Sequence, residues 1–195
     1  MEWSLKHFIL SGVLAALIFA LAFLLGAGII SATGIPATGG IANIFVAVFV
    51  LIIGMKVVPK FGFSTLTVGI VFTLAVPTII GGPPGVYKPV NGILIGLVAD
   101  ITIYIGRYNR WSYILGGSLA AVTSIVSIYV AMVVLKLPGI EGLRPLLLPL
   151  SVMQAVLGAL AAWGAVLVFE RRLVQLNSVE RLRASPRREE NKSSS

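Results

Sequence analysis

Few residues in this sequence could do chemistry. Its long apolar stretches hold one carboxylate, Asp100, and the 195-residue chain has one histidine, His7, and no cysteine. Hydrolysis inside a membrane needs a nucleophile with a base, paired carboxylates or a metal. With these residues no catalytic role is expected, and no cofactor. Disulfides, thiol catalysis and Cys- or multi-His-ligated metal are excluded by the counts alone. Ser118, in the run GGSLA, resembles a nucleophile loop only superficially: no partner base lies within the apolar stretches, and a small helix-packing group is the simpler reading.

Polar residues near one set of connections are better placed for binding. Asn43, Tyr87, Lys88, Asn91, Glu141, Arg144 and Gln154, joined by Tyr129, supply donors, acceptors, aromatic faces and both charges. A mostly apolar cavity with a few such groups is how a site for a small, polar, partly aromatic solute is built. Singly each has a plainer explanation: Lys88 and Arg144 as contacts to lipid headgroups, Tyr87 and Tyr129 as interfacial anchors. Asp100 lies about 16 Å along its helix from Pro89. It is read either as a structural group, paired with Arg107 or Arg110 or protonated as a packing donor, or as a coupling element. Gly12, Ala16 and Ala20 recur at four-residue spacing, which puts small side chains on one helical face and permits close approach of a helix from this bundle or from a partner.

The elements that would position these residues follow from composition. Hydrophobic residues make up 57% of the chain and charged residues 11%, against about 25% charged in soluble domains. Charges gather in short segments that separate uncharged stretches long enough to cross a bilayer. Spans are predicted at 8–30, 39–58, 64–80, 89–106, 111–135 and 145–169. The third is the weakest, being short with Pro77 near its end, so that it could be tilted, kinked or re-entrant. Twelve Lys and Arg fall on one side of this scheme and only Lys88, Lys136 and Arg144 on the other. The positive-inside rule then places both ends in the cytoplasm.

The expected fold is therefore all-α: a compact bundle of six transmembrane helices over residues 1–172, in the cytoplasmic or inner membrane, followed by a basic, disordered tail over 173–195. The first apolar stretch is read as a retained helix and not as a signal peptide. The net charge of +8 is explained by an anionic membrane surface without nucleic acid. SATGIPATGG before the second span and GGPPGVYKPVNG before the fourth are expected to be shaped outer loops.

The small-residue face Gly12, Ala16, Ala20, the Gly-rich loop after it, the run GGPPGVYKPVNGILIGLVAD and the basic turn GRYNRW together resemble the substrate-binding S components of energy-coupling factor (ECF) transporters, over roughly residues 14–171. The stretch from Gly92 through Ala121 looks somewhat like S components for thiamine or its hydroxymethylpyrimidine precursor, with Asp100 standing where a glutamate is expected. The resemblance implies capture of a vitamin or precursor at the extracellular face, while a transmembrane coupling subunit and cytoplasmic ATPases supply energy. It further implies that Gly12, Ala16 and Ala20 meet the coupling subunit and that Ser31 to Gly40 act as a lid. The chain has no phosphate-binding G-x-x-x-x-G-K-[ST] loop of its own. Two other readings stand beside it: a small ion- or proton-coupled carrier or channel using Asp100, and a structural subunit of a membrane complex.

Overall fold

The computed structural model describes residues 3–33, 36–78, 84–136 and 140–173. The described chain is helical almost throughout: α1 (Leu5–Thr33), α2 (Pro36–Val57), α3 (Phe63–Leu74), α4 (Lys88–Ile105), α5 (Arg110–Val134), the single turn α6 (Ile140–Leu143) and α7 (Leu147–Val168), which closes in a π-helical turn over Phe169–Leu173. Helices satisfy their own backbone polar groups, which is what a chain this apolar needs in a hydrocarbon solvent. Among the described residues, four segments are long and apolar enough to cross a membrane: Leu5–Gly26, Lys88–Ile105, Arg110–Val134 and Leu147–Leu173. The expected tail lies outside the described residues from 174 onward.

Two sequence expectations change. In the Gly-rich stretch 31–40 the described residues 31–33 and 36–40 are helical: α1 runs through Thr33 and α2 begins at Pro36. Proline at a helix's first position gives up no hydrogen bond, and an apolar setting favours helix even for glycine-rich sequence. The third predicted span is cut short. Helix α3 ends at Leu74, three residues before Pro77, with only 12 residues. At 1.5 Å per residue that is about 18 Å, well short of a hydrocarbon core of ~30 Å.

Contacts among the helix ends fix the arrangement. Trp3 lies against Gly62, Lys56 bonds Glu170, and Tyr113 reaches the Met55 carbonyl. The Asp100 carboxylate meets Ser64 and Thr65. These contacts bring the start of α1, the end of α2, the start of α3, the end of α4, the start of α5 and the end of α7 to one end of the bundle. Lys6, Lys56, Lys60, Arg107, Arg110, Arg171 and Arg172 all belong to that end, called here the basic end.

Helix α2 is central, packing on α1, α5 and α7. Its Val48, Leu51, Ile52 and Met55 join Ala15 and Ile18 of α1 and Ala161, Ala162, Ala165 and Val166 of α7 in one buried core. Small residues set the closest approaches. A Cβ on Gly158 of α7 would lie 2.6 Å from the Gly117 carbonyl oxygen of α5. The two backbones therefore touch, as expected where association rests on packing and not on a hydrophobic drive. Ser118 donates to the Ala155 carbonyl at 2.9 Å across the same interface, which makes it a packing group.

Candidate functional site

The binding residues expected from sequence sit toward the end opposite the basic one. Asn43 and Gln154 are each seven residues into their helices, roughly 10 Å from the helix starts, and Asn91 is one turn into α4. Gln154 and Asn91 are buried and Asn43 is half-buried. Three of their atoms, Asn43 Oδ1, Asn91 Nδ2 and Gln154 Oε1, are inaccessible and without a hydrogen-bond partner among the described residues. Asn43 folds against α1 where Gly26 leaves room: a Cβ there would fall 2.8 Å from the Asn43 amide nitrogen.

Unpartnered oxygens of Asn and Gln differ from unpartnered hydroxyls. Ser11 and Ser64 also carry buried hydroxyls without partners, in the half near the basic end. A serine or threonine in a helix can turn its hydroxyl onto the carbonyl one turn back, as Thr67, Thr73, Thr102, Thr123 and Ser151 do here. A carbonyl oxygen on Asn43 or Gln154 has no such remedy, because interior helical N–H groups are already engaged. Those two oxygens need a donor from elsewhere, and leaving each without one costs about 1–3 kcal/mol.

The remaining candidates fall in different places. Tyr129 is half-buried on α5. Tyr87 stands at the start of α4, half-buried, and burial pushes its phenol above the usual range, so it is a neutral hydroxyl. Glu141 and Arg144 are exposed around α6. Lys88 is fully buried, and its ammonium donates to the carbonyls of Ala75 at 3.0 Å and Thr78 at 2.5 Å. It closes the C-terminal end of α3, where the Ala75 carbonyl also accepts from the Thr78 N–H and hydroxyl and a cation suits both the terminal carbonyls and the helix dipole.

Asp100 performs the opposite task. Its carboxylate accepts from the backbone N–H of Ser64 at 3.2 Å, from that of Thr65 at 2.8 Å and from the Thr65 hydroxyl at 2.6 Å. Gly62, at the N-cap position of α3, has no side chain to do this. The carboxylate reaches across from α4 and caps the first turn of α3. Its partners are these amides, and the pairing with Arg107 or Arg110 expected from sequence is replaced by them. Between the two charges, a Cβ on Gly96 would lie 2.5 Å from Thr65 Cα and 2.7 Å from the Ser64 carbonyl oxygen, and one on Gly92 2.8 Å from the Val68 carbonyl oxygen. Lys88, Gly92, Gly96 and Asp100, four residues apart, thus form one row on α4 that grips α3 along its length.

Sequence reasoning missed this row and also the closure of the basic end. Lys56 is buried, bonds Glu170 at 2.7 Å and lies 5.1 Å from the Tyr113 ring centre and 5.6 Å from that of Phe169. Ser4 N–H donates to His7 Nδ1 at 3.1 Å, and the Ser4 hydroxyl lies 3.0 Å from the same nitrogen, while Trp3 meets the imidazole edge-on. The lone histidine is thus a structural group at the start of α1. On α1, Ser11, Ala15, Ile18 and Ala22 face the bundle. Ala16 and Ala20 are exposed, and a Cβ on Gly12 would meet nothing within 4 Å. The small-residue face is therefore turned away from the protein's own core. Comparison of the chain with family models, with characterised proteins and with solved structures finds no match.

Proposed function

We propose that the protein is a membrane-embedded substrate-capture subunit of an ATP-driven uptake system, of the kind the ECF S components represent. In this reading six helices lie in the cell membrane, both termini are cytoplasmic, and a small polar solute, a vitamin or its precursor, binds near the extracellular end. One observation carries it: Asn43 Oδ1 and Gln154 Oε1, on two different helices in the half away from the basic end, are buried acceptors with no donor among the described residues. They call for a solute bearing N–H or O–H groups, and Asn91 Nδ2 offers a donor in return. The outward small-residue face of α1 supports docking of a coupling subunit. Against a proton-coupled carrier, Asp100 is already committed to the amides of α3.

Native mass spectrometry of the detergent-purified chain tests the proposal. A small molecule bearing amine or hydroxyl donors should accompany the wild type at near one-to-one occupancy, and Gln154→Met should lose it. The same substitution removes an unpartnered buried acceptor, so the empty variant should be at least as stable as the empty wild type. A wild type that carries nothing and is not stabilised by any of a panel of vitamins and precursors would end this reading.

A further inference from the structure

At the basic end, α4 and α5 are joined by the tight turn Gly106–Asn109, in which Arg107 and Tyr108 both take left-handed φ, 53° and 56°. Between them opens a groove of about 350 Å³ lined by Ile101, Thr102, Ile105, Trp111 and Leu115, with Gly106, Asn109 and Ser112 at its head. Most of its polar groups are already used: the Thr102 hydroxyl donates to the Val98 carbonyl, the Ser112 hydroxyl to the Asn109 carbonyl, and Asn109 Oδ1 accepts from Ser112 N–H. Apart from the Asn109 amide NH2 at its head, what remains is mainly hydrocarbon, so the groove suits an apolar chain better than a polar solute. Ile105 is 74% and Trp111 70% exposed on its walls. The exposed Arg107 and Arg110 are the chain neighbours of Gly106, Asn109 and Trp111 of its lining, and the first turn of α5 holds no acid. Neither arginine has an ion-pair partner among the described residues.

We infer that this groove is a binding site for an anionic phospholipid. One acyl chain lies along Ile101, Ile105 and Leu115, the indole of Trp111 sits at the level of the glycerol, and the phosphate meets the guanidinium groups of Arg107 and Arg110. Charge complementarity selects the occupant: an apolar channel that ends at two cations fits a lipid carrying a net negative charge better than a zwitterion, whose own cation cancels the attraction. Each arginine near such a surface contributes about 1 kcal/mol, or about fivefold in local enrichment. A tryptophan at this boundary is where its amphipathic ring is most stable. The inference depends only on insertion in a membrane. It is independent of what, if anything, binds at the other end.

The chain has three tryptophans, Trp3, Trp111 and Trp163, which supplies the test. Full-length protein carrying Trp3→Phe and Trp163→Phe, so that Trp111 alone emits, is reconstituted into phosphatidylcholine vesicles. Either phosphatidylglycerol or phosphatidylcholine brominated on its acyl chains is then added in steps. Half-quenching of Trp111 should occur at a mole fraction of brominated phosphatidylglycerol at least about fivefold lower than that of brominated phosphatidylcholine. Arg107→Gln with Arg110→Gln should erase that preference. A chain retaining only Trp163, on α7, should show no preference at any composition. Equal half-quenching of Trp111 by the two lipids would overturn the assignment, and so would the same preference at Trp163. These two outcomes are read on proteins with intact arginines, so they decide the matter even if the double variant folds poorly.

Discussion

Replacing Asp100 gives the sharpest test of how α3 is held. In Asp100→Ala the Thr65 hydroxyl can rotate onto a helix carbonyl, but the Ser64 and Thr65 N–H groups keep no acceptor at the buried start of α3. A hydrogen bond to a charged group contributes about 1.5–3 kcal/mol, and loss of an N-cap costs about 0.5–2 kcal/mol. The bonds share one carboxylate, and the longer one, at 3.2 Å, is the weaker. The expected loss is therefore about 3 kcal/mol rather than the full sum. Asp100→Asn keeps one acceptor oxygen and gives up the charge facing the helix dipole, for about 1–2 kcal/mol. Reversible unfolding in mixed detergent and dodecyl sulfate, followed by circular dichroism, measures both. Hydrogen exchange over Phe61 to Val68 should speed up in step with the loss. If instead the carboxylate were held by Arg107 and Arg110, Arg107→Gln with Arg110→Gln would be as costly as Asp100→Ala. Capping requires that pair to cost under about 0.5 kcal/mol, and equal losses would refute it.

At the other end of α3, Lys88→Met keeps the buried stem but takes the ammonium from the Thr78 carbonyl, while the Ala75 carbonyl keeps the Thr78 N–H and hydroxyl; the same unfolding assay should show a loss of about 1–3 kcal/mol with or without added solute. Gly96→Ala places a methyl where Thr65 Cα stands 2.5 Å away and must push the helices apart, so it should cost about 1–3 kcal/mol, whereas Gly12→Ala, with open space around it, should be neutral or stabilising. Glu170→Gln should change stability by under about 1 kcal/mol, because the glutamate side chain is 43% exposed and water screens its pairing with Lys56. Under the proposed function, Ala16→Leu or Ala20→Leu should abolish solute uptake in cells while the purified variants still bind solute; uptake surviving in both would remove the docking assignment.

The extent to which the sequence disclosed this arrangement depended on the kind of interaction. Apolar runs bounded by charges give helices whatever their neighbours do, since a helix satisfies the backbone within its own segment, whereas a strand needs paired neighbours. The arginine and lysine asymmetry tracked the observed clustering of helix ends, because alternating helices must return such segments to one side. The Gly-rich stretch 31–40 misled: glycine permits a loop but does not require one, and α1 and α2 run into it from both sides. Of the polar candidates, Asn43, Asn91 and Gln154 carry buried atoms without partners among the described residues, while Lys88 is tied to backbone carbonyls. Nothing local distinguishes these cases, because what separates them is the position of the α3 terminus, a tertiary fact.

The row Lys88, Gly92, Gly96, Asp100 could nonetheless have been found, had charge and smallness been read as one pattern. Two glycines at four-residue spacing announce a close helix contact. A cation four residues before the first and an anion four residues after the second set opposite charges about 18 Å apart along α4. That is the length of a helix of about twelve residues. An antiparallel helix lying on the glycines would present its C-terminus to the cation and its N-terminus to the anion, the favourable sense for its dipole at both ends. Only a short helix fits between the charges, since a full span would carry its termini past both of them. The truncation of α3 and the burial of Lys88 and Asp100 are therefore one feature: each charge is tolerated in the apolar interior because α3 stops where it does, and α3 can stop there because the charges satisfy its ends. On this argument, lengthening α3 should release Lys88, and the helix pair should unfold as one unit.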